Sequence, residues 1–134
     1  MAEESVRPAV ARAEMNALTE RVIGCAYRVS NRLGVGFLEK VYENALAHEL
    51  RKAGVRVEQQ KLLTVTYDGV VVGEYAADLF VEECLIVELK VARELDKAHM
   101  AQCLNYLKVS DLRLCLLMNF AKSRVDVRRV ANGI

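Results

Sequence analysis

Tryptophan is absent from the 134 residues, and proline occurs once, at Pro8. No stretch approaches the roughly 18 uninterrupted apolar residues that a membrane-spanning helix needs. The first twenty residues lack a basic segment followed by an apolar one, so no secretory signal is expected. Cysteines stand at 25, 84, 103 and 115, with no C-x-x-C and no Cys/His cluster. That spacing argues against a zinc site and against a disulfide framework. Buried, reduced thiols in a cytoplasmic protein are the expectation. An excess of either charge is missing too: the formal net charge is +1. This excludes a protein-wide basic footprint for a polyanion and leaves only a local one. Lys122, Arg124, Arg128 and Arg129 could form such a patch, or could be the solvated edge of a sheet. With 53% hydrophobic and 28% charged residues, global disorder is excluded as well.

What is present reads as a single domain, residues 16–134, behind a flexible N-terminal tail, residues 1–15. Leu18, Val22, Ile23, Ala26, Val29 and Leu33 recur at spacings of three and four and predict a helix that stops at Gly34. A second helix is expected from about Phe37 to Ala53. The period then falls to two. Val55, Val57 and Leu62–Tyr67 read as strand, and Asp68-Gly69 is a hairpin turn signal. Strand resumes from Val70 to about Val81, with a bulge expected at Gly73 and a turn at Glu82-Glu83. Cys84–Val91 is apolar on both faces apart from Glu88 and Lys90, the pattern of a covered central strand. A helix over about Leu95–Val109 follows, its core stripe Met100, Cys103, Leu104 and Leu107. Leu112–Met118 and Ser123–Val130 complete the order α-α-β-β-β-α-β-β, the latter as an exposed edge, with a short extra strand near Val57. The fold class is α/β, with a mixed central sheet flanked by helices.

Several charges fall where a core is expected. At about 100° per residue, Glu39 lies within the apolar stripe formed with Leu46 and Leu50. A partner cation, or a place at the positive end of the helix, would accommodate it. Asp78 interrupts a strand. Glu88 and Lys90 share one strand face about 6.6 Å apart, either as a structural ion pair or as part of a site. His99, Gln102 and Tyr106 flank the stripe of the next helix, as a solvated boundary or as the wall of a groove. Three carboxylates and a lysine near one sheet end have a chemical use. Carboxylate oxygens suit Mg²⁺ or Mn²⁺, such an ion activates water and clamps phosphate oxygens, and a lysine can orient the attacking water.

Gly36-x-x-Glu39-x-x-Tyr42 resembles the signature of the GxxExxY proteins, a small family within the PD-(D/E)XK nuclease-like superfamily. Supporting stretches are Val72–Asp78, Ile86–Lys90 and Gln102–Leu107, and the likeness runs from about Val22 to Val130. The resemblance implies a restriction-endonuclease-like αβββαβ core. It implies Glu39, Asp78 and Glu88 as ligands of Mg²⁺ or Mn²⁺, with the Leu89 carbonyl beside them. Lys90 is then the residue that positions water, and Gln102 orients Lys90 or a phosphate. Tyr42, His99 and Tyr106 become candidate site walls. Ala77 stands where the superfamily's name has proline. The implied activity is hydrolysis of phosphodiester bonds in DNA, ahead of RNA. The alternative is a catalytically silent nuclease-like binding or assembly module. The edge strand leaves room for a homodimer.

Overall fold

The structure, a computed structural model, describes residues 11–132. Helix α1, Arg12–Leu33, buries Leu18, Val22, Cys25, Ala26 and Val29 along one face. Of the expected tail, Arg12–Met15 form the first turn of α1, and residues 1–10 lie outside the described residues. Helix α2, Glu39–Lys52, packs beside α1 and begins two residues later than the apolar pattern suggests. Leu38 and Val41 are exposed, whereas Glu43 and Glu49 are buried.

The extra strand expected near Val57 is the start of a longer one. Strand β1, Val57–Tyr67, turns at Asp68-Gly69 into β2, Val70–Val81. Both turn residues have positive φ, 53° and 75°, as a two-residue turn matched to strand twist requires. The ladder slips between Val65 and Thr66, which leaves Val72 as the extra residue beside Gly73. A second positive-φ pair, Glu82-Glu83, leads into β3, Leu85–Lys90. Helix α3, Lys97–Ser110, crosses over to β4, Leu114–Asn119, which lies parallel to β3. Strand β5, Asp126–Ala131, closes the sheet as an antiparallel edge, giving the order β1-β2-β3-β4-β5.

The sheet is covered on both sides. Helices α1 and α2 bury Val22, Leu46 and Leu50 against Leu79, Val87, Leu89 and Leu116. Helix α3 buries Cys103, Tyr106 and Leu107 against Phe80, Ile86 and Leu117 on the other face. Leu104, expected in that stripe, is 36% exposed, and Tyr106 is the residue that fills it. Truncating a core leucine such as Leu107 or Leu116 to alanine costs about 2–5 kcal/mol. Strands β3 and β4 are buried throughout, apart from half-buried Lys90. The outer half of the β1–β2 hairpin has no such cover and leaves Leu62, Tyr67, Val70 and Val71 exposed. Among the described residues, no helix is long and apolar enough to cross a membrane.

Candidate active site

Strands β2 and β3 are paired only from Leu79 to Val81 on β2. Beyond that point the sheet forks, and the next backbone donors lose their ladder partners. Two carboxylates take them over. The Asp78 amide donates to Glu88 Oε1 at 3.2 Å, and the Leu89 amide donates to Asp78 Oδ2 at 2.9 Å. The fork therefore draws both acids together, since an unmet buried donor costs about 1–3 kcal/mol.

The remaining oxygens are also held. Glu88 Oε2 accepts from the Tyr106 hydroxyl at 3.3 Å and has Lys90 Nζ at 3.9 Å. Asp78 Oδ1 accepts from Gln60 Nε2 at 3.1 Å. Positive charge is scarce here. Burial pushes the Glu88 carboxyl up to about 8, with the Asp78 carboxylate adding to the push. Burial raises the Asp78 pKa as well, against the pull of the Leu89 amide and Gln60. The Tyr106 hydroxyl is raised by burial and by Glu88, so it stays a donor.

Glu39 approaches from α2. As a residue it is exposed, contrary to the stripe expected of it, because the helix starts there and only later residues face the core. Loss of water at its carboxyl still raises its pKa, Asp78 adds to this, and Lys90 and the Val91 amide oppose it. The G-x-x-E-x-x-Y segment explains how Glu39 reaches this place. Gly36, at φ 107°, takes a backbone turn that side chains disfavour. Tyr42 is fully buried, donates its hydroxyl to the Gly34 carbonyl at 2.6 Å, accepts from the Phe37 amide at 3.3 Å, and stacks on Phe120 at 4.9 Å. It is a core residue that anchors the loop before Glu39.

The structure places the other expected residues unevenly. Tyr106 touches Glu88 directly. Gln102, one helical turn before Tyr106, is half-buried. His99 is spent on a capping box: its Nδ1 accepts from the Asp96 amide at 3.1 Å, and its own amide donates to Asp96 Oδ1 at 3.0 Å. The expected basic patch is largely committed elsewhere. Lys122 pairs with Glu94, Arg128 with Asp126, Arg129 bonds Thr19, and Arg124 lies over the Tyr27 ring.

Two participants were not expected. Glu43 is 3% exposed and accepts from Gln60 and Gln59, each at 2.9 Å, with Lys40 Nζ at 3.1 Å. Gln60 thus joins Glu43 to Asp78. It does so from φ 54° in mid-strand, a left-handed conformation that costs a non-glycine residue roughly 1–2 kcal/mol. The available signal was the polar Gln59-Gln60 pair interrupting β1.

Hard oxygen donors at Asp78 and Glu88, mutually repelling and short of cations, suit a divalent cation in kind. Among the described residues, however, no three His, Cys, Asp or Glu side chains are gathered as a ready metal-holding group. One oxygen of each of Asp78 and Glu88 is turned to a backbone amide, and the other to the Gln60 or Tyr106 side chain.

No curated protein matches the sequence. Among solved structures, the chain is similar to the crystal structure of SSO0001, at 17% identity and a TM-score of 0.55, over 71% of this chain and 50% of that one. It is also similar to an alkaline exonuclease (LHK-Exo) from Laribacter hongkongensis, at 13% identity and a TM-score of 0.53, over 94% of this chain and 73% of that one. The chain spans half the length of the first, and at such identities the likeness bears on the fold. The sequence profile that matches, over residues 16–130, is that of the PD-(D/E)XK nuclease superfamily.

Proposed function

The chain belongs to the PD-(D/E)XK nuclease superfamily, and on that footing we propose that it is a metal-dependent nuclease hydrolysing phosphodiester bonds, in DNA ahead of RNA. One observation carries the reading. The fork holds carboxylates in excess of cations; burial raises the pKa of both acids, with Asp78 adding to the push on Glu88 and Glu43 to that on Asp78. Such an imbalance has a use where a cationic ligand is to be bound.

In this reading Asp78 and Glu88 hold Mg²⁺ or Mn²⁺, with Glu39 as the third carboxylate and the Leu89 carbonyl beside them. The ion, when bound, lowers the pKa of water and neutralises phosphate charge. The chain's residues do the rest. Lys90, half-buried beside Glu88, orients the attacking water and stabilises negative charge growing on the phosphate. Tyr106 keeps its proton and fixes one Glu88 oxygen. Gln60 fixes one Asp78 oxygen. Gln102 steadies Lys90 or a phosphate from α3. The buried thiols of Cys25, Cys103 and Cys115, none in a disulfide, fit the cytoplasmic setting we infer.

The test is a cleavage screen with Mg²⁺ and Mn²⁺ over single-stranded, duplex and flapped DNA and over RNA. Metal-dependent cleavage that EDTA abolishes is the expected result, and cleavage surviving EDTA would contradict the mechanism. One observation favours the silent binding or assembly module: the basic residues near β5 are already partnered within the chain. Absence of cleavage on every substrate would select that reading.

A further inference from the structure

A groove of about 480 Å³ runs between the outer half of the β1–β2 hairpin and α3. Thr64 and Thr66 line it from β1, Tyr75 from β2, and Asn105 and Lys108 from α3. The side chains of Thr64, Thr66, Asn105 and Lys108 make no hydrogen bond or ion pair among the described residues. Lys108 is the one charged residue in the lining. Two smaller hollows carry acids beside a cation, Glu58 and Glu83 with Lys61 in one and Glu58, Glu82 and Glu83 with Arg56 in the other. Of these three, the groove alone has a lysine and no carboxylate in its lining. Tyr75 is 38% exposed, and its ring meets that of Tyr106 edge-on at 5.5 Å. Tyr106 in turn donates to Glu88. Two aromatic rings therefore separate the groove from the forked carboxylates.

We propose that this groove holds an unpaired nucleic-acid strand, with a base stacked on Tyr75 and a phosphate on Lys108, next to the bond presented to the site. The proposal rests on the nuclease reading and narrows its substrate to single strands and frayed ends. A partly exposed aromatic ring suits stacking by an unstacked base, which a duplex does not offer. An ammonium group and a side-chain amide without protein partners suit phosphate and base edges. A volume of this size is that of a small-ligand site, far short of a duplex.

The test is binding of the full chain in EDTA, where nothing is cut, followed by fluorescence anisotropy. The probes are 5′-fluorescein dT₁₂, U₁₂ and a 12-base-pair duplex. We expect a single strand of either kind to bind about 10-fold or more tighter than the duplex. Tyr75→Ala should weaken that binding about 10-fold, and Tyr75→Phe should restore it to within about 2-fold. Lys108→Glu, an exposed change that spares the core, should weaken it further at low salt and flatten its salt dependence. Equal affinity for duplex and single strand would overturn the proposal, as would Tyr75→Ala and Lys108→Glu both binding like wild type. Failure of the nuclease reading looks different: strand binding through Tyr75 and Lys108 persists, but no metal supports cleavage.

Discussion

Glu49 and Glu88 are both glutamates largely removed from water, 8% and 3% exposed, yet the chain treats them oppositely. Glu49 sits at the α1–α2 seam beneath three cations, with Arg28 at 3.3 Å, Lys52 at 3.4 Å and Arg32 at 3.7 Å. Burial pushes its pKa up, but those partners more than reverse this, so it ends below the usual value. Glu88 has another carboxylate beside it and one lysine at 3.9 Å, and burial and Asp78 carry it up to about 8. Identical chemistry is thus neutralised at one place and left unbalanced at the other. A structural acid is surrounded by what it needs. The acid at the fork has one distant lysine against a second acid, and its pKa stays raised.

The largest expected effect tests whether that imbalance is catalytic. Lys90→Ala should reduce cleavage on the order of 10²–10³-fold, as loss of a charge-stabilising group does. Glu49→Gln should leave the rate per folded molecule unchanged. Equal rates for Lys90→Ala and wild type would make the two acids alike.

Next in size is the pH response of the metal-free protein. The folded pKa of Glu88 lies above the unfolded value near 4.5. The folded state therefore holds an extra proton between those limits, and stability present below about pH 4.5 is lost as pH rises through about 8. Glu49, lowered on folding, works in the other direction: its contribution is present above its unfolded pKa and lost on acidification. In EDTA the melting temperature should fall by about 5 °C between pH 5.5 and 8.5. Glu88→Gln should flatten that slope and raise stability at pH 8 by about 1 kcal/mol, as relief of carboxylate repulsion at a functional site does. Saturating Mn²⁺ should stabilise wild type at pH 8 and not the variant. A loss of about 3 kcal/mol in Glu88→Gln would instead identify Glu88 and Lys90 as a structural buried pair.

A smaller effect is expected at Gln60. Gln60→Gly removes its bonds to Asp78 and Glu43 and also the cost of its positive φ. Stability should stay within about 1 kcal/mol, while Mn²⁺ affinity measured by calorimetry falls about 10-fold, as when a ligand's supporting partner is lost. Unchanged affinity would confine Gln60 to the fold. The smallest effect belongs to Lys52→Ala, which removes one of three cations from Glu49. A melting shift of about 2 °C or less is expected, and a larger one would show that the cations act as a unit.

The order of elements was legible because each has its own period and punctuation: Gly34 after α1, Asp68-Gly69 between strands, and the two-faced apolar run of β3. Asp78, Glu88 and Lys90 stood out because charge in such strands needs a reason. Glu39 was legible as an acid of interest, but of the two accounts the sequence offered, the place in the first turn of α2 holds and the core stripe does not. Tyr42 carried no visible sign of anchoring the loop, because that depends on Gly34 lying eight residues back in space as well as in sequence. Gln60 and Glu43 were missed because their roles arise from a local backbone distortion and a meeting of β1 with α2. His99 looked like a site wall, but the Asp96–His99 spacing is that of a cap.

The exchange of hydrogen bonds at the fork bears on how the protein can change over evolutionary time. Asp78 and Glu88 each complete a backbone that the parted strands leave open, so replacing either by a nonpolar residue damages the scaffold before any reaction is considered. Asparagine or glutamine, which keep an accepting oxygen, offer the gentler mutational exits. A lineage abandoning the chemistry proposed above should therefore pass through amides at 78 and 88, and lose Lys90, whose side chain holds no backbone group, first.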